Sequence, residues 1–296
     1  MTTPNILPLL PRLVCASGML LFHGSVAAQS CTVTATTVTA AAYDPFGVNT
    51  PTAGSFSFTC NKTGSQSFPA TYAVGVTTGN VLVGSGTAAG SSLSYSLHHS
   101  NCSTPWSDGS PILVNHVAGT NNNRSGTMNV NFCMVIASGQ TSAKPGSTAT
   151  SYSDTETVNV KDSAAPGTSY SSGTVITFNT TVNASCSVLS IDPLVLNYVA
   201  FSGSSVSADS TLNVRCNNGV SYSLSLDALP RTLLGLTYSL ELRDTLGPLS
   251  NPKSGSGSGQ QYTIRGTLAA DQQGICAAAN PATCTDTRNH SVTITY

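Results

Sequence analysis

Cysteine is the reactive residue whose number and spacing say most about this chain of 296 residues. Nine cysteines occur, and Cys15 lies in an N-terminal segment that we expect to be removed. The other eight form an even set, which in an exported chain predicts disulfides made in an oxidising compartment. No C-x-x-C spacing occurs, and no histidine lies near paired cysteines at zinc-finger spacing. The sequence therefore favours disulfides over a metal site.

Histidines and serines are the other residues that could do chemistry. His98, His99, His116 and His290 occur among many serines. There is no G-x-S-x-G elbow, no paired-carboxylate constellation and no metal motif. Because serines are so frequent, a Ser–His–Asp set in some order is expected by chance. The sequence predicts a protein that is not an enzyme and has no cofactor and no metal.

Charge and hydropathy indicate export rather than binding to a polyanion. Eleven basic and twelve acidic residues nearly cancel, and 8% of the chain is charged. No basic stripe of the kind that binds nucleic acid is present. Residues 1–28 contain Arg12, an apolar run and the small residues Val26 and Ala28, which is typical of a secretory signal cut before Gln29. No later segment is apolar for the length of a membrane span.

The chain is an internal repeat. Cys31 and Cys60 are 29 positions apart, and Cys186 and Cys216 are 30 apart. Aligning these pairs brings SLSYSLHHS (92–100) onto GLTYSLELR (235–243), and TETVNV (155–160) onto HSVTIT (290–295). We therefore predict two tandem units, residues 29–162 and 186–296, joined by residues 163–185.

Each unit has short alternating strands separated by Gly, Ser, Asn and Pro. This pattern predicts an all-β fold of two tandem immunoglobulin-like β-sandwiches. The first two cysteines of each copy align and are paired, and the last two are paired by elimination. A disulfide that closes a loop of about 30 residues should add roughly 3 kcal/mol. The predicted pairs are Cys31–Cys60, Cys102–Cys133, Cys186–Cys216 and Cys276–Cys284.

Motifs in both halves carry a family resemblance. They are C-T-V-T-A-T with Y-D-P, L-S-Y-S-L, W-S-D-G (106–109), G-Q with P-G (139–146) and Y-S-D-T-E-T-V-N-V. In this order they resemble the spore coat protein U domain family, which consists largely of subunits of archaic chaperone–usher pili of Gram-negative bacteria. The second copy lacks the tryptophan motif and a clear P-G. Its Arg231 matches an arginine usual in the family.

The resemblance implies that each sandwich lacks its last strand and leaves a groove open. A periplasmic pilus chaperone would lend a strand to the groove, an outer-membrane usher would assemble the fibre, and a neighbouring pilin subunit would then replace the chaperone's strand. The last strand of the second copy carries Val292, Ile294 and Tyr296 on one face. We expect this strand to be an acceptor edge. Alternatively, Tyr296 ends a complete sandwich.

The stretch GTVITFNTTVNASC (173–186) alternates apolar and polar residues as a strand does. Residues 174–184 follow the end of the first copy across a loop long enough to turn back. We hypothesise that they form a donor-like strand that completes the first unit in cis, with Ile176, Phe178, Val182 and Ala184 in its groove. The alternative is that they belong to the second sandwich.

The N-terminus suggests a place in the fibre. After signal cleavage only Gln29 and Ser30 would precede Cys31, so we expect no donor strand there. The expected function is that of a two-domain tip adhesin, exported through the periplasm to the cell surface, that mediates attachment and biofilm formation. The alternatives are a structural shaft or coat subunit of the fibre and a carbohydrate-binding tip lectin.

Loops that are longer in the first copy are candidates for contact with a surface. Residues 105–119 offer an apolar cluster that would favour hydrophobic adhesion if exposed. Alternatively, the tryptophan is structural and the I-L-V run is an ordinary strand, or Trp106 forms a sugar-binding platform with Asp108 and His116. The receptor cannot be named. The candidate adhesive residues are Trp106, Pro111, Ile112, Leu113 and Val114.

Overall fold

The computed structural model of this protein describes residues 29–63, 67–77, 80–117, 124–171, 173–275 and 284–296. The predicted signal, residues 1–28, and Cys276 lie outside the described residues. The described part of the chain is all-β, which confirms the predicted fold class. Its helical content is one 3-10 turn at Gly86–Ala88, and it contains no helix long and apolar enough to span a membrane.

Ten strands form a first set that shares no strand pairing with the rest of the described chain. They are β1 (Gln29–Val33), β2 (Thr36–Thr39), β3 (Thr52–Lys62), β4 (Thr71–Val76), β5 (Val81–Gly84), β6 (Ser92–His99), β7 (Ile112–Asn115), β8 (Ser125–Ile136), β9 (Tyr152–Asp162) and β10 (Val175–Thr180).

The first set is built from two runs of neighbouring strands, which we call the first sandwich. One run has the order β1–β3–β8–β6, and the other has the order β7–β4–β9–β10–β2. Strand β5 pairs with both β6 and β9, so the two runs form one continuous hydrogen-bonded path. These pairings are antiparallel except for that of β10 with β2, which is parallel.

Period-two alternation places the apolar side chains of these strands in one core. On β8, for example, Val130 and Phe132 are buried, whereas the residue between them is exposed. Trp106 lies in this core, 2% exposed, with its ring 6.1 Å from Phe56 and 5.0 Å from Phe132. Its indole N–H donates to the Val74 carbonyl oxygen at 2.8 Å, which satisfies the one polar group of the side chain.

Nine strands form the second set. They are β11 (Cys186–Ile191), β12 (Val206–Cys216), β13 (Ser221–Leu226), β14 (Thr232–Leu233), β15 (Leu236–Asp244), β16 (Gly247–Pro248), β17 (Lys253–Ser254), β18 (Gly259–Leu268) and β19 (Val292–Thr295).

The second set repeats part of the first and is called the second sandwich here. Its larger run, β11–β12–β18–β15, has the same order as β1–β3–β8–β6, and β14 and β16 pair with β15. A separate run has the order β17–β13–β19. Its core contains Leu212, Val214, Tyr222 and Ile264. The hydroxyl groups of Tyr222 and Tyr262 lie 2.6 Å apart, and burial raises the pKa of Tyr222.

The two sandwiches are connected by a short, hydrogen-bonded stretch of chain. Asn217 is fully buried, and its side chain accepts a hydrogen bond from the Ser185 N–H and donates one to the Asn183 carbonyl, both at 3.0 Å. The N–H of Asn218 donates to the Thr141 carbonyl of the first sandwich at 3.3 Å. The connection is therefore held by polar contacts from both sides.

Candidate strand-acceptor edge

Residues 168–182 lie along the whole length of β9. Strand β10 pairs antiparallel with β9 from Val175 opposite Thr157 to Thr180 opposite Tyr152. Before β10, the Val158 N–H donates to the Thr174 carbonyl at 3.0 Å. The structure thus places the predicted donor-like strand beside β9 of the first sandwich, rather than beside a strand of the second.

The same segment is also paired on its other side. Strand β10 runs parallel to β2 with Ile176 opposite Thr36 and Phe178 opposite Val38. A further bridge joins Val182 to Tyr43. The segment therefore fills the space between β9 and the N-terminal strands, and both of its backbone edges find partners.

Three of the four predicted donor-like side chains are fully buried in the first core, namely Ile176, Phe178 and Val182. The Phe178 ring lies 5.5 Å from the ring of Tyr95 and 5.9 Å from that of Phe132. A buried phenylalanine of this kind contributes about 1.5–3 kcal/mol through its apolar surface.

The prediction that Ala184 lies in the same groove is wrong, because Ala184 is exposed. Regular strand structure ends at Thr180. From Asn183 to Ser185 the chain is bonded to Asn217 of the second sandwich. This turn toward the second sandwich takes Ala184 out of register with the core positions.

A buried polar cluster lies opposite Ile176. The Glu156 carboxylate is 2% exposed and accepts hydrogen bonds from the Thr77 hydroxyl and the Asn80 N–H, both at 3.0 Å, and from the Tyr95 hydroxyl at 3.2 Å. Burial is the main cause that raises the pKa of Tyr95. Because its polar partners are in place, the carboxylate can lie under an apolar strand.

Strand pairing defines which positions of the two sandwiches correspond. Val158 pairs with Val76 in the first, and Val292 pairs with Leu226 in the second. The next residues repeat one hydrogen bond. The Thr77 N–H donates to the Thr157 carbonyl at 2.9 Å, and the Asp227 N–H donates to the Ser291 carbonyl at 3.0 Å. Strand β19 therefore corresponds to the last part of β9, at an offset of 134 residues.

The two corresponding strands differ at one edge. Strand β9 has β4 on one side and residues 168–180 on the other. Within the described residues, β19 pairs with β13 alone. The first sandwich directs the N–H groups of Val158 and Val160 at the added segment. By correspondence, Val292 and Ile294 direct theirs away from β13. We call this side of β19 the open edge.

Side chains near the open edge are less buried than their counterparts. Val33 is 3% exposed, whereas the corresponding Val188 is 43% exposed. The predicted edge residues Val292 and Ile294 are partly buried against the second core, and Tyr296 is 59% exposed. Further apolar side chains of β11 and the following stretch are also exposed, namely Leu189, Ile191, Val195, Val199 and Phe201.

A second polar cluster corresponds to the one around Glu156 and was not predicted. His290 takes the position of Glu156, and Tyr238 that of Tyr95. The Tyr238 hydroxyl contacts His290 Nε2, and His290 Nδ1 lies 2.8 Å from Asp227 Oδ1 and 2.9 Å from Arg231 Nη1. The repeat alignment, which matches HSVTIT to TETVNV, was the signal that could have identified this cluster.

Asp227 is the anchor of this cluster. Its Oδ2 accepts the Ser291 N–H at 2.6 Å, and the hydrogen bond with His290 and this backbone bond hold the pKa of Asp227 at about 2. The Arg231 Nη2 donates to the Asp227 carbonyl oxygen at 2.6 Å. The cluster fixes the chain where it enters β19.

Three of the predicted disulfides are present in the described residues. They join Cys31 to Cys60, Cys102 to Cys133 and Cys186 to Cys216. Cys284 is also disulfide-bonded, and Cys276, its predicted partner, lies outside the described residues. In the described part of the chain no group of three His, Cys, Asp or Glu side chains could hold a metal ion.

The structure corrects the predicted adhesive loop. Trp106 is a core residue and cannot face a surface or form a sugar platform. Ile112 and Val114 belong to β7, which pairs with β4, and they pack against the core, while Pro111 is partly buried. Leu113, 64% exposed, is the one apolar side chain of the five that faces solvent.

The platform partners are also apart. His116 stacks on Phe68 at 4.2 Å, and burial lowers the pKa of His116. Asp108 is instead bonded to Asn159 at 2.9 Å and to Lys161 at 3.5 Å. Asp108, Lys161 and Leu113 line a shallow cavity of about 250 Å³ on the outer side of β4 and β9.

Comparison with known proteins gives distant similarity in structure alone. No protein-family model matches the chain, and no curated protein matches it. The chaperone–tip adhesion subunit pre-assembly complex CsuC–CsuE, from archaic chaperone–usher Csu pili of Acinetobacter baumannii, has a TM-score of 0.45 at 15% identity, covering 90% of this chain and 100% of that one.

Two further solved structures are more distant. A chaperone–tip adhesin complex of CFA/I fimbriae has a TM-score of 0.33 at 12% identity, over 88% of this chain and 96% of that one. The cadherin-like domains 1 to 4 of zebrafish RET have a TM-score of 0.27 at 12% identity, over 83% and 44%. Similarity at this level carries no conclusion about function or partners.

Proposed function

We propose that this protein is an exported pilus subunit whose second sandwich accepts a β-strand from another chain. The observation that carries the proposal is the open edge of β19, at the position where β9 of the same chain is paired with residues 168–180. Unpaired N–H and C=O groups beside a partly exposed core are a template for strand addition. The first sandwich provides the completed form for comparison.

The first sandwich needs no strand from outside. Its donor-like segment already pairs with β9 and β2 and buries Ile176 and Phe178. A segment held in this way is not available to a neighbouring subunit. The first sandwich is therefore free to face outward, while the second joins the fibre.

This asymmetry supports a place at the fibre tip. A tip subunit needs one acceptor site and a folded domain that can contact a surface, and the two sandwiches meet these needs separately. In this proposal a periplasmic chaperone first covers the open edge, an outer-membrane usher assembles the fibre at the cell surface, and a neighbouring subunit then supplies the strand. The protein would act in attachment and biofilm formation.

The alternatives differ in where the protein lies in the fibre and what it binds. A shaft or coat subunit would occur along the whole fibre. Immunogold labelling with an antibody to the first sandwich distinguishes them, because a tip subunit places one particle at a fibre end and a shaft subunit gives regular decoration. A lectin would need a polar sugar site, and Trp106, the aromatic residue predicted for it, is buried.

Hydrogen exchange tests the open edge directly. In the free chain the amides of Val292 and Ile294 should exchange quickly, whereas those of Val158 and Val160, which have partners, should be protected. In the assembled fibre all four should be protected. Equal protection of the two pairs in the free monomeric chain would contradict the proposal.

A further inference from the structure

We infer that the strand accepted at the open edge runs antiparallel to β19 and carries a large apolar residue followed two positions later by an aromatic residue. The inference rests on the proposed function and adds the chemistry and register of the partner. It comes from the first sandwich, where residues 168–182 occupy the corresponding space of the same chain.

The register follows from the offset of 134 residues. In the first sandwich Ile176 lies opposite Glu156, and Phe178 lies opposite Asp154. The residues that correspond to Glu156 and Asp154 are His290 and Arg288. The large apolar residue of the incoming strand should therefore lie opposite His290, and its aromatic residue opposite Arg288.

Strand pairing also identifies the pocket for the aromatic ring. Tyr95 pairs with Ile136 and Tyr238 with Leu268, so Tyr238 takes the position of Tyr95. In the same way Ile264 takes the position of Phe132. Tyr95 and Phe132 are the two rings that contact Phe178 in the first sandwich.

The size and exposure of the pocket residues favour a ring. Ile264 is smaller than Phe132, which leaves room between it and Tyr238. Tyr238 and Leu240 are partly exposed, whereas Tyr95 and its neighbour Leu97 are buried. An aromatic side chain would remove more of this apolar surface from water than an aliphatic one.

The walls on either side fit the same strand. Leu194, from the stretch after β11, packs on Gly266, where an added Cβ would lie 2.6 Å from its Cδ2. This stretch corresponds to β2, which pairs with β10 in the first sandwich. It is not a strand in the second sandwich, as expected if its pairing partner has to arrive from another chain.

A peptide with the sequence of residues 168–182, TSYSSGTVITFNTTV, is a suitable probe. It would be added to the full mature chain, and its affinity measured from the protection of the Val292 and Ile294 amides. The variant peptide F178S removes the aromatic residue. The matched control V175S removes an apolar residue of similar hydrophobicity that is 39% exposed in the first sandwich.

The parent peptide should protect both amides, F178S should bind at least about tenfold more weakly, and V175S should stay within about twofold of the parent. The amides of Val158 and Val160 should stay protected throughout, which shows that the first sandwich keeps its own strand. Equal binding of F178S and the parent would overturn the inference.

Failure of the inference can be separated from failure of the proposed function. Free exchange of the Val292 and Ile294 amides with no binding of the parent peptide would overturn the inference, while the edge would remain open. Protection of both amides in the free monomeric chain would overturn the proposed function itself.

Discussion

Val33 and Val188 occupy corresponding positions, yet Val33 is 3% exposed and Val188 is 43% exposed. Each is two residues after the first cysteine of its unit, and they pair with Phe58 and Val214 respectively. The sequence around the two valines does not explain the difference. It arises because residues 168–182 complete the first sandwich, whereas no described segment takes that place in the second.

Substitution of the two valines should have unequal effects. Val33→Ser should lower the free energy of unfolding of the first sandwich by about 2–4 kcal/mol, since a buried valine is lost and a cavity is left. Val188→Ser should cost less than about 1 kcal/mol in the free chain. Urea unfolding measures both.

The chain has one tryptophan, Trp106, so its fluorescence reports the first sandwich, and amide exchange near Val214 reports the second. If Val188→Ser were as destabilising as Val33→Ser, the second sandwich would have to be covered in the free chain.

Trp106→Phe should destabilise the first sandwich although it keeps an aromatic ring. The substitution leaves the buried Val74 carbonyl without the indole N–H and opens space beside Phe56 and Phe132. We expect a loss of about 1–3 kcal/mol, seen as a lower Tm in calorimetry. Leu113→Ser, on the exposed face of β7, is the control and should change the free energy of unfolding by less than about 0.5 kcal/mol. An unchanged Tm for Trp106→Phe would contradict a structural role of the indole.

Local sequence patterns predicted the strands and the repeat better than the exposure of single residues. Alternation along residues 175–182 identifies Ile176, Phe178 and Val182 as one face, because a strand has a period of two. Ala184 continues that alternation in sequence, but the chain turns toward Asn217 before reaching it. Periodicity contains no information about where a segment leaves a sheet.

Residues 111–114 illustrate the second limit of sequence reasoning. An apolar run in a Pro- and Gly-rich stretch is compatible both with an exposed loop and with a short strand. Pairing of β7 with β4 decides for the strand, and this contact is made between segments about 40 residues apart. The cluster of His290, Asp227 and Tyr238 was missed for the same reason, since its members come from three separate segments.

Gly257→Ala should loosen the connection between the sandwiches. Gly257 has φ +79°, and an added Cβ would lie 2.4 Å from the Thr141 carbonyl oxygen of the first sandwich. Gly139→Ala is a matched control, because Gly139 has φ +80° but no atom near its Cβ position. Both variants should carry backbone strain of about 1 kcal/mol.

Gly257→Ala alone should in addition change the small-angle scattering profile toward a broader distribution of distances. Identical profiles for the two variants would show that the contact with Thr141 does not hold the sandwiches together.

Acid should destabilise the second sandwich through Asp227. The folded-state pKa of Asp227 is lowered from 3.8 to about 2, chiefly by its hydrogen bond with His290 and then by the Ser291 N–H. Because the folded state binds this proton more weakly than the unfolded state, the ionised carboxylate stabilises the fold above about pH 4. That contribution is lost as the pH falls from about 4 to 2.

Asp227→Asn should therefore lower stability at pH 7 and flatten the dependence of stability on pH between 4 and 2, measured by urea unfolding followed through the Ser291 and Val214 amides. Asp209→Asn is the comparison, since the pKa of Asp209 is also lowered, by the exposed ion pair with Arg265. The effect of Asp209→Asn should shrink in high salt, whereas that of Asp227→Asn should persist, because the side chain of Asp227 is 13% exposed and that of Asp209 is 46% exposed. An acid-unfolding curve unchanged by Asp227→Asn would show that this carboxylate does not anchor the start of β19.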